Sequence, residues 1–161
     1  MTDRSAVKSA AENKLPVVWL SPNRTSTTIE GPKDSNNWIL LNLEYSGYYR
    51  VNYDLLGWEL LSAQLRRNHT VIPSLNRAQL IDDAFVMGHA GILSYEVAKR
   101  LIQYLAQADE KTYIRSVAAG HLNRMEQKMM LQFEITDKLD DKLAVSTFKL
   151  LSLFFFPSNS T

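Results

Sequence analysis

The 161-residue sequence has no cysteine. That excludes a disulfide framework and thiolate metal sites within it. The compartment stays open, because many secreted domains also lack disulfides. Charge of one sign is not in excess: 18 Lys and Arg stand against 17 Asp and Glu, for a net charge of +1. Such a balance lacks the basic footprint of a nucleic-acid binder and any polybasic membrane stretch, so neither nucleic acid nor membrane contact is expected. Long apolar runs are also missing. The longest, Leu150 to Pro157, is interrupted by Ser152 and is too short to span a bilayer. Met1 to Lys14 is polar and mixed in charge, with no apolar core of a signal peptide. No G-x-G-x-x-G, Walker loop or G-x-S-x-G occurs, which removes the commonest nucleotide and serine-hydrolase signatures.

What is present is enough apolar content for a core: 45% of residues, which argues against wholesale disorder. The length suits one ordinary domain or two small incomplete ones. Three N-x-[ST] sequons begin at Asn23, Asn68 and Asn159. About one per 150–200 residues is expected from average composition. Three lean towards an extracytoplasmic protein with N-glycosylation at these asparagines.

The patterning changes along the chain. Residues 1–14 are a linker-like start. Val17 to Leu20, Thr25 to Ile29, Trp38 to Leu43 and Tyr48 to Tyr53 are rich in strand formers, and Gly31 to Asn37 marks a loop. Trp38–Leu43 and Tyr48–Tyr53 flank the Ser46-Gly47 turn and predict an antiparallel hairpin. At Asp54 the period shifts from two to about 3.6. Asp54 can cap a helix running to about Arg67, with Trp58, Leu61 and Leu65 on one face. Pro73-Ser74 breaks the chain before a second helix, Leu75 to His89, striped by Leu80, Ile81, Ala84 and Phe85 and ended by Gly91. Ser94 can cap a third helix carrying Ala98, Leu101, Ile102 and Leu105. A fourth, from about Glu110 to Leu131, carries Ile114, Val117, Leu122, Met125 and Met129. A fifth is expected from about Thr136 to Phe156. Strands first and helices afterwards argue against a doubly wound sheet. The expected class is α+β with segregated parts: a small antiparallel β-sandwich portion, then an α-helical, solenoid-like portion.

Candidate chemistry is sparse. His69, His89 and His121 lack H-E-x-x-H spacing and read as surface or capping residues. Asp82-Asp83 is a carboxylate pair. Neighbours on a helix point about 100° apart, so the two do not share one proton, and a salt bridge or solvated face is expected. Asp140-Asp141 reads the same way. Arg50 stands among tyrosines, where a guanidinium can stack or pair with a carboxylate. No catalytic and no metal-binding residue emerges.

Two segments carry a more specific signal. Trp38-Ile39-Leu40-Leu41-Asn42, followed by Gly47-Tyr48-Tyr49-Arg50-Val51-Asn52-Tyr53-Asp54, closely resembles a signature of the aminopeptidase N-like zinc metallopeptidases. Asn76-Arg77-Ala78-Gln79-Leu80-Ile81-Asp82-Asp83-Ala84-Phe85 resembles the segment that follows it in that family. Trp19-x-x-Pro22 is a weaker echo of the preceding strand. The resemblance is closest over residues 38–106. In that family a thermolysin-like catalytic domain precedes a β-sandwich, and a large helical domain closes over the active site. The resemblance therefore implies a partial sandwich domain over residues 15–54 and the first helices of the C-terminal helical domain over 55–161, with 1–14 unassigned. The family's H-E-x-x-H zinc motif, its G-x-M-E-N motif and its transition-state tyrosine have no counterpart here. Trp38, Gly47, Tyr48, Tyr49, Arg50, Asn52, Tyr53, Asp54, Asn76, Arg77, Asp82 and Asp83 carry over as structural positions only. Where family members often have a tryptophan shortly after the position of Tyr113, Ser116 stands here.

The expected function is a noncatalytic, capping segment of a zinc aminopeptidase that removes N-terminal residues from peptides. The chain holds no cofactor, zinc belonging to the intact enzyme. Its partners are the catalytic domain and the further C-terminal helices, and peptide substrate is met only through them. The expected location is extracellular or a membrane-anchored ectodomain. The alternative is a stand-alone binding module on the same scaffold, motivated by the apolar stretch Phe148 to Phe156. A peptidase with its own site is disfavoured by the missing ligand set.

Overall fold

The structure, a computed structural model, describes residues 22–23, 25–28 and 36–136. Among these it contains four α-helices: α1 (Leu55–Asn68), α2 (Ser74–His89), α3 (Tyr95–Ile102) and α4 (Thr112–Thr136). Short 3-10 turns occur at Leu43–Tyr45, His69–Val71 and Gln103–Ala106.

The helix ends follow local chemistry. Asp54 Oδ1 accepts from Gly57 N at 2.6 Å and starts α1. Ser94 Oγ accepts from Glu96 N at 3.3 Å at the head of α3. At the end of α2, Gly91 adopts φ +72°. Gly91 N donates to Gly88 O and Ile92 N to Met87 O, the paired bonds of a Schellman cap. The apolar stripes meet in one core. Trp58, Leu61, Leu65, Ile81, Ala84, Phe85, Ala98, Leu101, Leu105 and Ile114 are all nearly inaccessible to solvent. Helix α2 is central, packed against both α3 and α4, while α1 packs against α3.

The expected α+β class is corrected: no strand and no sheet occurs among the described residues, and the sandwich is not formed there. Trp38–Leu43 and Tyr48–Tyr53 do not pair as a hairpin. The reason is visible in the backbone. Asn42, Glu44 and Tyr45 take φ of 53°, 54° and 60°, which breaks any extended run. The peptide groups of the segment then find side chains instead of a neighbouring strand, as described below. Thr25 to Thr28 is likewise irregular. Val17–Leu20, Ile29, the loop Gly31–Ser35, Asp140-Asp141, the stretch Phe148–Phe156 and the fifth helix beyond Thr136 lie outside the described residues.

The fourth helix begins later than expected, at Thr112 instead of Glu110. Glu110 is drawn out of that role by Arg77.

Candidate functional site

The polar groups that the sequence singles out converge on α2. Its first turn presents Asn76, fully buried. Asn76 Nδ2 donates to Asn42 O at 3.0 Å and to Gln79 Oε1 at 3.1 Å, while Asn76 Oδ1 accepts from Glu44 N at 2.8 Å. The amide thus grips the backbone on either side of Leu43. Asn42 closes the same loop from within. Its Nδ2 donates to Gly47 O at 2.9 Å and Tyr49 O at 3.1 Å, and its Oδ1 accepts from Gly47 N at 2.7 Å. A Cβ on Gly47 would push the exposed Tyr49 ring aside and crowd Asn42 Oδ1.

Two turns further along α2, Arg50 meets both carboxylates of the Asp82-Asp83 pair. Arg50 Nη1 donates to Asp82 Oδ2 at 2.6 Å and to Asp83 Oδ1 at 2.8 Å. Asp83 is 1% exposed. Its Oδ2 accepts from Val51 N at 3.0 Å and lies 3.4 Å from Gln79 Nε2. Asp82 faces the other way as well, with its Oδ1 2.8 Å from His121 Nε2 on α4. The His121 ring stacks on Phe85, 5.1 Å between centroids and nearly parallel. The hydrogen bond from His121, helped by Arg50, holds the Asp82 carboxyl at about 2 against burial that pushes the other way. The hydrogen bond to Asp82, with Asp83 alongside, raises Arg50 above its ordinary value against burial that lowers it.

Arg77 forms a second anchor. Its Nε donates to Glu110 Oε2 at 2.6 Å and its Nη2 to Glu110 Oε1 at 2.9 Å, a bidentate pair that is almost wholly buried. Nη1 donates to His69 O and to Ile72 O. Glu110 also accepts from Tyr104 Oη at 3.1 Å and from Lys111 N at 2.8 Å. Burial pushes the Glu110 carboxyl up, and these donors more than reverse it, leaving it below the usual range. Burial, with Glu110 alongside, pushes the Tyr104 hydroxyl up.

The remaining motif residues bind the entering segment to α1. Trp58 Nε1 donates to Asn52 Oδ1 at 3.0 Å, and Trp38 Nε1 to Gln64 Oε1 at 3.3 Å. The Tyr53 ring meets Trp58 edge-on at 5.1 Å, and its hydroxyl accepts from Leu41 N at 3.1 Å. Burial raises the Tyr53 hydroxyl to about 12. Tyr48 and Tyr49 point outward, Tyr48 fully exposed. Asn23 and Asn68 are exposed, and Asn159 lies outside the described residues.

The three histidines stand apart in role. His69 packs against Tyr104, His89 Nδ1 lies 2.6 Å from Tyr95 Oη, and His121 serves Asp82. Desolvation, followed by Lys128 and Arg124, lowers the His89 imidazole below its ordinary value. Among the described residues no three His, Cys, Asp or Glu side chains could hold a metal ion. The described residues thus offer no ligand set for zinc. A groove of about 350 Å³ between α1 and α3, lined by Leu56, Glu59, Leu60, Ala63, Val97 and Arg100, is mainly apolar. Its one ion pair, Arg100 to Glu59 at 3.7 Å, is exposed on both sides. Sequence reasoning missed Glu110, Gln79, Asn42 and His121 as members of these networks. Only the coincidence of a buried-type position with a polar residue on the α2 stripe could have flagged Gln79.

Among the described residues the polar clusters clamp chain segments onto a helical scaffold. A family profile described as ERAP1-like C-terminal domain matches residues 38–155, and the chain belongs to this family. It is similar to aminopeptidase Q of Homo sapiens, 42% identical over 96 residues, which is 59% of this chain and 10% of that protein. The thyrotropin-releasing hormone-degrading ectoenzyme of Mus musculus is 40% identical over 132 residues, 77% of this chain and 12% of that protein. Aminopeptidase N of Plutella xylostella is 42% identical over 106 residues, 65% of this chain and 11% of that protein. The chain thus spans about a tenth of the length of these relatives. It is related to a C-terminal segment of aminopeptidases.

Proposed function

We propose that this chain is a noncatalytic part of a zinc aminopeptidase, supporting and covering a metal centre carried by another part of the parent protein. The parent removes N-terminal residues from peptides. The observation that carries this reading is the family match over residues 38–155, in a chain that spans about a tenth of its aminopeptidase relatives. A zinc peptidase polarises a carbonyl and activates water with a metal held by three protein ligands. The contribution of the present residues is a wall that restricts access and excludes water. The partners are then the catalytic domain and the further helices of the parent. An ectodomain location is supported by the three sequons and by the similarity to the mouse thyrotropin-releasing hormone-degrading ectoenzyme.

The test is the transcript on the 5′ side of the Met1 codon. Continuation into sequence encoding H-E-x-x-H is expected. A complete transcript with no such motif overturns the reading, as does stoichiometric zinc with peptidase activity in the pure chain.

A second reading, a stand-alone binding module, is favoured by one observation. Ile39, Leu41, Tyr45, Tyr48, Tyr49 and Leu55 are all exposed on one short stretch. A pure chain that stays monomeric and captures no partner overturns it.

A further inference from the structure

We propose that Asn68 carries an N-linked glycan, making the turn between α1 and α2 a solvent-facing edge of the intact protein. The proposal rests on the ectodomain reading above and adds which sequon is used. Asn68 closes α1, and both Asn68 and Thr70 are exposed. Between them His69 turns inward, its ring 5.7 Å from that of Tyr104. The two working side chains of the sequon are therefore left outside by the packing of the one that is not needed. They are also held together: Asn68 Oδ1 accepts from Thr70 Oγ1 at 2.7 Å and from Thr70 N at 3.1 Å. With its oxygen occupied, the Asn68 amide presents Nδ2, which donates none of the described hydrogen bonds, to solvent. The backbone is fixed beneath it by Gln64 Nε2, which donates to Asn68 O at 2.8 Å. A glycan leaving Nδ2 meets no buried group, and the fold needs no rearrangement to carry one.

The donor is a polyprenyl-pyrophosphate-linked oligosaccharide. A bond forms between Asn68 Nδ2 and the anomeric carbon of the terminal sugar. The bond from that carbon to the pyrophosphate oxygen breaks, its electron pair leaving with the pyrophosphate, and one Nδ2 proton passes to a base of the transferase. Asn23 and Thr25 are exposed too, but the structure shows no bond between their side chains, and Asn159 lies outside the described residues.

The test uses the protein purified from the cells that make it. It is denatured, treated with peptide-N-glycosidase in water enriched in oxygen-18, and digested with trypsin. A glycan-bearing asparagine becomes oxygen-18-labelled aspartate, and the peptide from Asn68 to Arg77 reports this sequon alone. A label at position 68 in most copies is expected. A label at Asn23 or Asn159 with position 68 unlabelled overturns the proposal and leaves the ectodomain reading in place. No label at any sequon, in protein recovered from the cytosolic fraction, overturns both.

Discussion

Asp83 has almost no contact with water, yet its carboxyl group faces three donors: the Arg50 guanidinium, the Val51 amide and, at longer range, Gln79 Nε2. Replacing it by alanine leaves the Val51 N–H buried without an acceptor, an omission that costs about 1–3 kcal/mol. Asp83→Ala is expected to lower the free energy of denaturant unfolding by that amount. The Arg77–Glu110 pair is more demanding, because both partners are buried. Arg77→Met strands the Glu110 carboxylate and is expected to cost about 3–5 kcal/mol. The double change Arg77→Met with Glu110→Gln recovers part of that loss, which a double-mutant cycle in urea measures. Asp82 sets the acid limit. Its folded value near 2 lies below the ordinary 3.8. A depressed carboxylate stabilises the fold above its unfolded value and loses that contribution as the pH falls towards the folded one. Stability is therefore expected to drop between about pH 4 and pH 2, and Asp82→Asn flattens this part of the curve when unfolding is followed against pH.

At the scale of elements, the ends of helices are short-range chemistry, and they were legible. Asp54, Ser94 and Gly91 mark boundaries through their own side chain or its absence, and the structure places them within a residue of the sequence expectation. The strands were not legible, because alternation says which way side chains point and nothing about whether a partner strand is there. Within Tyr48–Tyr53, Asn52 and Tyr53 meet Trp58 on α1 and Arg50 meets Asp82 and Asp83 on α2, with Asp83 taking the Val51 amide that a ladder would have used. Glu110 failed for a similar reason: its competing partner sits 33 residues away, beyond any local window. The join between α2 and α3 offers a sharper test. A Cβ on Gly88 would lie 2.9 Å from the Tyr95 ring. Gly88→Ala gains helix propensity but forces the ring aside, for a net loss on the order of 1 kcal/mol by thermal unfolding. In a Tyr95→Ala background the same substitution becomes stabilising.

For the whole molecule, the candidate site was legible as a set of residues and not as an arrangement. Arg50, Asn76, Arg77, Asp82 and Asp83 stand out from the sequence as members of a motif. That Asn76, Arg77 and Asp83 grip backbone, while Arg50, Arg77, Asp82 and Asp83 also grip charge, depends on the way α2 lies against the segments on either side of it, which no spacing rule encodes. The core fares better, since the stripes of α1, α2 and α3 close on one another as their period implies. Removing the residue at its centre tests that closure. Trp58→Ala empties the largest fully buried side chain and is expected to cost about 3–5 kcal/mol, with loss of cooperative unfolding in calorimetry.

The clamps on residues 41–51 share a property with a consequence. Asn76 holds Asn42 O and Glu44 N, Asp83 holds Val51 N, and Tyr53 holds Leu41 N. Each handle is a peptide group that every amino acid but proline possesses in full. The joint is therefore blind to the outward side chains at positions 39, 41, 45, 48 and 49. Those positions can be rewritten to suit a new neighbour while the seam stays closed, so one attachment serves many outer faces.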